Sequence, residues 1–216
     1  IALVLGFAEG NQKRDVIDLV KRAGFSTAPM IVRFLMQAYG EFDEDAALMK
    51  FLLDPKGHNW AYIVADGGTF TYENWRGRNR QDPGARSESH PVGAYGGVIA
   101  IQHYVLGVQT TKPQYAHVKI RPHPGELKFA RGTIPTQRGP IHVDWKNDTK
   151  TETFSLTVEL PCNVHADVFV PRRSETGTTV EVDGTPRRVE DAGRYLRIRN
   201  VGSGSHRFVS RPDTGR

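Results

Sequence analysis

Hydrophobic residues recur at two different periods along this chain, helical in the first half and alternating in the second. In 14–23, Val16, Ile17, Leu19, Val20 and Ala23 fall on one helical face, and Gly24 stops the helix. Ser26 or Thr27 then caps a second helix with Pro29 in its first turn. Its apolar positions are Ala28, Ile31, Val32, Leu35, Met36 and Tyr39. Asp43 caps a third helix, which runs to Leu53 on Ala46, Met49, Leu52 and Leu53 and is closed by Pro55. Residues 58–66 read as a helical turn or a short strand. His90-Pro91 opens a further helix with Val92, Tyr95, Ile99, His103 and Leu106 inward, and Gly107 ends it. Gly93, Gly96 and Gly97 on that helix imply a close neighbour, either a packed helix or a ligand. The opening run Ile1–Ala8 reads as the tail of a core helix.

Beyond about residue 112 the period becomes two. Val118 and Ile120 alternate, as do Leu127 and Phe129. Ile141, Val143 and Trp145 follow, then Phe154, Leu156, Val158 and Leu160, then Val164, Ala166, Val168 and Val170. Val180-Glu181-Val182, Tyr195–Ile198 and Phe208 complete the set, with hairpin turns at Asn147–Lys150 and Asp183-Gly184. Short strands at this spacing predict an antiparallel β-sandwich. The expected organisation is α+β and multidomain, with a helical segment over 1–110, a β-sandwich over 111–216, and a frayed end from Arg211 to Arg216. The few helices have inner faces too apolar to stand alone, so the chain is expected to be a fragment of a longer protein.

Composition narrows the function classes. Net charge is +5 and the isoelectric point about 9.4, which invites a nucleic-acid partner. The arginines, however, are scattered as Arg172-Arg173, Arg187-Arg188, Arg194, Arg197 and Arg199, between apolar residues or beside turns. That is the pattern of solvated strand faces, so no nucleic-acid partner is expected. The opening apolar run is too short to span a membrane, and no membrane partner is expected. One cysteine, Cys162, excludes an internal disulfide framework and a multi-cysteine zinc site. It leaves the compartment undecided between cytoplasm and periplasm or secretion. His117, His123 and His142 are spread over strand edges, so neither a metal nor a cofactor is expected.

The stretch with chemistry in it is Gly67-Gly68-Thr69-Phe70-Thr71-Tyr72-Glu73-Asn74-Trp75, followed by Ser89-His90-Pro91. Glu73 stands among Phe70, Tyr72 and Trp75, a partly desolvated setting whose aromatic faces suit the apolar side of a sugar ring. The competing reading is a loop carboxylate beside core aromatics. An inverting glycosidase needs two carboxyl groups, one of them a base that deprotonates water. Glu73 fits such a base, with Trp75 and His90 beside it. Asp66, Asp82 and Glu88 are near in sequence, but nothing marks one of them as the acid. The long polar stretch 76–88 reads as a loop of functional length. From the residues alone, the site reaches half of a sugar-cleaving pair.

The order of these features resembles the C-terminal part of bacterial α-L-rhamnosidases of the family 78 glycoside hydrolases. The resemblance rests on Ala23–Thr27, Tyr39-Gly40, Trp60, Gly67–Trp75, Ser89–Pro91, Gly107, Ile120-Arg121-Pro122-His123, Thr133–Trp145, Leu160–Asn163 and Ala166. It implies that 1–110 is the last part of an (α/α)6 helical barrel, followed by a C-terminal β-sandwich. It further implies inverting hydrolysis of terminal α-L-rhamnosides with Glu73 as general base, and Trp75, His90 and Tyr72 at the rhamnose subsite. The partners implied are a rhamnose-containing glycoside or polysaccharide and the remainder of the barrel. The family's general acid lies in an earlier barrel motif absent here, so this chain alone is expected to be inactive. Asn74 and Arg76 replace residues that are often Arg and Asp in the family. The alternative is a non-catalytic carbohydrate-binding or structural β-sandwich module.

Overall fold

The computed structural model describes residues 1–23, 27–76 and 89–213, the Val92 side chain excepted. The Gly24 stop, the Ser26 cap, residues 77–88 of the expected loop and residues 214–216 lie outside the described residues. The chain forms two compact units, Ile1–Ala100 and Ile101–Arg216.

The first unit is helical: α1 (Gln12–Ala23), α2 (Val32–Glu41), α3 (Asp45–Leu53), α4 (Trp60–Ala65) and α5 (Tyr95–Ala100). Single 3-10 turns at Pro29–Ile31 and Pro91–Gly93 lead into α2 and α5, each opened by proline, whose missing N–H has no partner to lose there. The residue before Pro29 is held extended, so Ala28 rather than Thr27 stands at the cap position. α2 buries Val32, Leu35, Met36, Ala38 and Tyr39 and packs against α1, α3 and α5.

Several local expectations are corrected. Asp43 does not cap α3: its backbone is left-handed, with φ of 56°, and the helix starts at Asp45. α3 buries Leu48, Met49 and Phe51, while Ala46 is exposed and Leu53 is 57% exposed. In α1, Ile17 is buried and Leu19 is 57% exposed. Ile1–Ala8 forms successive turns rather than a helix, closed by bonds such as Leu5 N–H to Ile1 O at 2.9 Å. α5 turns Gly96, Gly97 and Ala100 inward in place of Tyr95 and Ile99. A Cβ on Gly96 would lie 2.8 Å from Val32 Cγ1, and one on Gly97 would lie 3.0 Å from the Trp60 indole. Side chains of α2 and α4 therefore supply the neighbour that these glycines imply.

The second unit is a β-sandwich-like fold of two sheets. One carries β1 (Val108–Thr110), β2 (His117–Ile120), β6 (His165–Pro171), β10 (Tyr195–Val201) and β9 (Glu190–Ala192), in that order. The other runs β3 (Phe129–Ile134), β4 (Ile141–Asp148), β5 (Thr153–Leu160), β11 (Gly204–Pro212), β7 (Thr178–Val182) and β8 (Thr185–Pro186). The pairing is antiparallel except that β2 lies parallel to β6, His117 opposite His165 and Ile120 opposite Val168. The expected antiparallel pairing is thus observed with this one parallel pair as its exception. The chain leaves β2, builds three strands of the other sheet, and re-enters beside β2 in the same direction.

Alternation finds the core correctly. Ile141, Val143, Trp145, Phe154, Leu156, Val158, Val168 and Phe208 are each at most 1% exposed. The Trp145 Nε1–H donates to Val105 O at 2.8 Å, inside the π-helical turn Ile101–Val105. A buried indole needs such an acceptor. Phe129 is an exception: on edge strand β3 it is 68% exposed, opposite Lys146. Asp183-Gly184 forms the expected two-residue hairpin turn, both residues at positive φ. Arg211 and Pro212 are not frayed but pair with Thr179 and Thr178. Among the described residues no helix is long and apolar enough to cross a membrane.

Asp167 ties three strands together. Burial works to raise its carboxyl, but the hydrogen bonds from Arg197 and from the Asn200 N–H, with the Arg197 and His117 charges, outweigh it and hold the pKa low. Asp148, Asp183 and Asp191 are also held low, mainly by side-chain or backbone hydrogen bonds. A carboxylate with a depressed folded pKa stabilises the fold above the unfolded value of about 3.9, and that stability fades as pH falls through the folded pKa. Urea midpoints at constant ionic strength are therefore expected to fall between pH 5 and pH 3. Asp167→Asn should lower the midpoint at neutral pH and flatten its acid dependence. A midpoint unchanged from pH 7 to pH 3 would contradict this linkage.

Candidate active site

The loop that carries Glu73 is fastened at its start by the end of α4. Asn59 caps that helix, its Oδ1 accepting the Tyr62 N–H at 2.9 Å and its Nδ2 donating to Asp54 O at 2.7 Å. At the other end, Gly68 N–H bonds to Ile63 O at 2.8 Å and Gly67 N–H to Val64 O at 3.1 Å, the paired closure of a Schellman turn. Gly67 takes the required left-handed backbone, φ 75°. Gly68 has no room for a side chain, since a Cβ would lie 2.5 Å from the Tyr72 hydroxyl. The adjacent glycines thus let the loop fold back over Tyr72, a signal that sequence reading left unused.

From there the aromatics turn inward. Tyr72 is 1% exposed and donates its hydroxyl hydrogen to Asp66 Oδ2 at 3.0 Å. Trp75 is 6% exposed and donates from Nε1 to Thr27 O at 2.5 Å. Its ring stands edge-to-face with Trp60 at 6.1 Å and with Phe51 at 6.4 Å. Trp60 in turn donates from Nε1 to Gly93 O at 2.8 Å. Phe70 is exposed. Both indole N–H groups therefore bind backbone carbonyls of neighbouring loops, at 27 and at 93, and fix the position of the intervening chain.

Glu73 sits between these two anchors and is half-buried. Asn74 Oδ1 accepts the Arg76 N–H at 2.9 Å, so the residue after Glu73 shapes the local turn. The His90 loop lies alongside: His90 N–H donates to Thr71 O at 2.8 Å, and Thr71 Oγ1 donates to His90 O at 2.6 Å. His90 is half-buried, and its Nδ1 is buried without a hydrogen-bond partner among the described residues. The two stretches singled out in the sequence are thus joined by a pair of bonds two residues before Glu73. Of the other nearby carboxyls, Asp66 is bound to Tyr72, and Asp82 and Glu88 lie outside the described residues.

The histidines of the β unit have separate surroundings. His117 lies beside Asp167 and Thr111, His142 Nδ1 is 2.8 Å from Thr133 Oγ1, and His123 is buried between the Tyr104 and Tyr195 rings. Arg121, in the same Ile-Arg-Pro-His element, lies over the Tyr195 ring at 4.2 Å, and Pro122 O accepts the Tyr195 hydroxyl at 2.9 Å. Within this unit the element acts as a packing lock.

Comparison with known proteins gives consistent likenesses. The bacterial alpha-L-rhamnosidase C-terminal domain family matches residues 107–184. An alpha-L-rhamnosidase from Alteromonas sp. (strain LOR) is 31% identical over 161 residues, which is 71% of this chain and 16% of that protein. The chain therefore spans about a sixth of the length of the curated relative it matches. The Streptomyces avermitilis alpha-L-rhamnosidase complexed with L-rhamnose superposes with a TM-score of 0.68 at 26% identity, over 92% of this chain and 19% of that one. The Dictyoglumus thermophilum alpha-L-rhamnosidase shares the fold with a TM-score of 0.73 at 24% identity, over 85% of this chain and 21% of that one.

Proposed function

We propose, from a chain that corresponds to the C-terminal part of bacterial α-L-rhamnosidases, that Glu73 is the general base of an inverting hydrolysis of terminal α-L-rhamnosides. The observation that carries this reading is the placement of Glu73. It is half-buried, and its loop is held by Tyr72 and Trp75 and clamped to His90 through Thr71. A base held by its surroundings loses little freedom when substrate arrives, which is how positioning lowers a barrier.

In the proposed reaction the Glu73 carboxylate takes a proton from water. The water oxygen bonds to the anomeric carbon while the bond to the glycosidic oxygen breaks on the opposite face. A second carboxyl protonates that departing oxygen, and we assign it to the part of the relatives' length that this chain does not span. His90 and Trp75 are assigned to the rhamnose subsite. Tyr72 and Trp75 serve it chiefly through the loop they anchor, because their rings expose little area of their own. The helical unit is assigned to the end of an (α/α)6 barrel, with the domain boundary near residue 110.

The isolated chain is accordingly expected to leave an aryl α-L-rhamnoside uncleaved, since one carboxylate cannot perform both proton transfers. Release of the aryl alcohol followed by absorbance tests this. Turnover by the isolated chain that is lost in Glu73→Gln would place both transfers within these 216 residues and contradict the division of labour.

A further inference from the structure

A cleft of about 440 Å³ opens in the β unit between the end of β7, the connection from β8 to β9, and β10. Val182, Ile198 and Val201 contribute its apolar walls. Arg187, Arg188, Arg197, Arg199 and His206 face it against two acids, Asp183 and Glu190. Both acids are already engaged. Asp183 accepts the Arg207 N–H at 2.7 Å and pairs with His206 Nδ1 at 3.0 Å. Glu190 takes Arg199 at 2.6 Å and lies 4.0 Å from Arg197, which also holds Asp167.

Arg187 and Arg188 differ from these. Both are exposed, and neither enters the ion pairs formed among the described residues of this cleft. Arg187 is tied to the fold through its backbone, N–H to Val180 O at 2.9 Å. Arg187 and Arg188, consecutive in sequence, both line the rim; the Arg187 charge helps to hold the Asp183 carboxyl low, and each of the two acids has a further cationic partner. The planar fork of arginine matches a carboxylate or sulfate in two parallel hydrogen bonds. Arg197, which also lines the cleft, has its Nε buried and without a hydrogen bond among the described residues. Among the described residues no aromatic side chain lines the cleft, so they offer none of the stacking platforms by which single-stranded nucleic acids are held.

We propose that this cleft binds the anionic group of an acidic saccharide, carboxylate or sulfate, through Arg187 and Arg188. The choice of a saccharide over other anions rests on the glycosidase reading. The anion site itself rests on the arginines. Such a site would hold an acidic polysaccharide chain independently of the bond being cleaved.

Titration calorimetry on the full chain tests this with four probes: trigalacturonate, a sulfated galactan tetrasaccharide, neutral maltotriose and a ten-residue thymidine oligonucleotide. Saturable binding of trigalacturonate or of the sulfated saccharide is expected, and the tighter of the two identifies the anion. Maltotriose should bind at least tenfold more weakly. Affinity for the acidic saccharide should drop at least tenfold in Arg187→Gln/Arg188→Gln and on raising salt from 0.05 to 0.3 M, since these charges are exposed to screening. It should be unchanged in Glu73→Gln. The proposal is overturned if neither acidic saccharide binds, if maltotriose binds equally well, or if the oligonucleotide binds tightest. Affinity indifferent to the double substitution or to salt overturns it too. Because Glu73→Gln reports on hydrolysis and the arginine pair on binding, either reading can fail while the other stands.

Discussion

On the function proposed above, replacing Glu73 by glutamine in a protein that joins this chain to a complete barrel is expected to slow hydrolysis of an aryl α-L-rhamnoside about 10²–10⁴-fold, the usual contribution of a positioned general base. The loss should appear in kcat, because the amide keeps the shape and much of the hydrogen bonding of the acid but cannot take a proton from water. The fold should be nearly unaffected. Glu73 is half-buried, and the bonds that fix its loop belong to Tyr72, Trp75 and Thr71. Melting temperature and kcat measured on the same preparations separate the two effects. A large drop in kcat with an unchanged melting curve supports the assignment. Near-normal kcat refutes it.

The second large effect is structural. Gly107 has φ of 84°, its carbonyl accepts the Arg121 N–H at 2.8 Å, and a Cβ there would lie 2.3 Å from Pro122 N and 2.4 Å from the Arg121 carbonyl carbon. Backbone atoms cannot step aside as a flexible side chain would. Gly107→Ala therefore costs roughly 1–2 kcal/mol for a left-handed backbone and about 1–3 kcal/mol for overpacking. For a unit of this size, the sum lowers the melting temperature by about 10 °C or more. Gly193 is the internal control: φ is 70°, but nothing lies within 4 Å of its missing Cβ. Gly193→Ala should cost only the backbone part. Equal melting temperatures for the two variants would show that the strand-to-strand lock around Arg121-Pro122 does not constrain Gly107.

The sandwich core was legible because strand alternation has one cause, burial of alternate side chains, and Phe154, Leu156 and Val158 obey it fully. Pairing partners were not. Nothing in the local period of His117–Ile120 says that it will lie parallel to a strand from residue 165 onward. Phe129 misleads for a related reason, since an edge strand tolerates an apolar residue on its open face. Helix starts were less legible than helix bodies. Asp43 has the chemistry of a cap but a left-handed backbone, which places it in the preceding turn.

The site was legible as a neighbourhood more than as a surface. The sequence brought Glu73 and His90 to notice, and the structure joins their loops through Thr71. Aromatic residues beside a carboxylate read alike whether they face a ligand or the core. Only the bonds from Tyr72 to Asp66 and from Trp75 to Thr27 reveal that these rings are anchors. Gly67-Gly68 carried that information in advance, because a Schellman turn followed by a residue without a side chain permits such a fold-back.

Azide rescue tests the central assignment most directly. In a protein that joins this chain to a complete barrel, Glu73→Ala leaves space where the proposed base stands, and azide is a nucleophile that needs no deprotonation. With an activated aryl α-L-rhamnoside, millimolar azide is expected to restore aryl release and to yield β-L-rhamnosyl azide, of inverted configuration. Aryl release unresponsive to azide in a folded Glu73→Ala enzyme, or an azide product of retained configuration, would contradict the role assigned to Glu73.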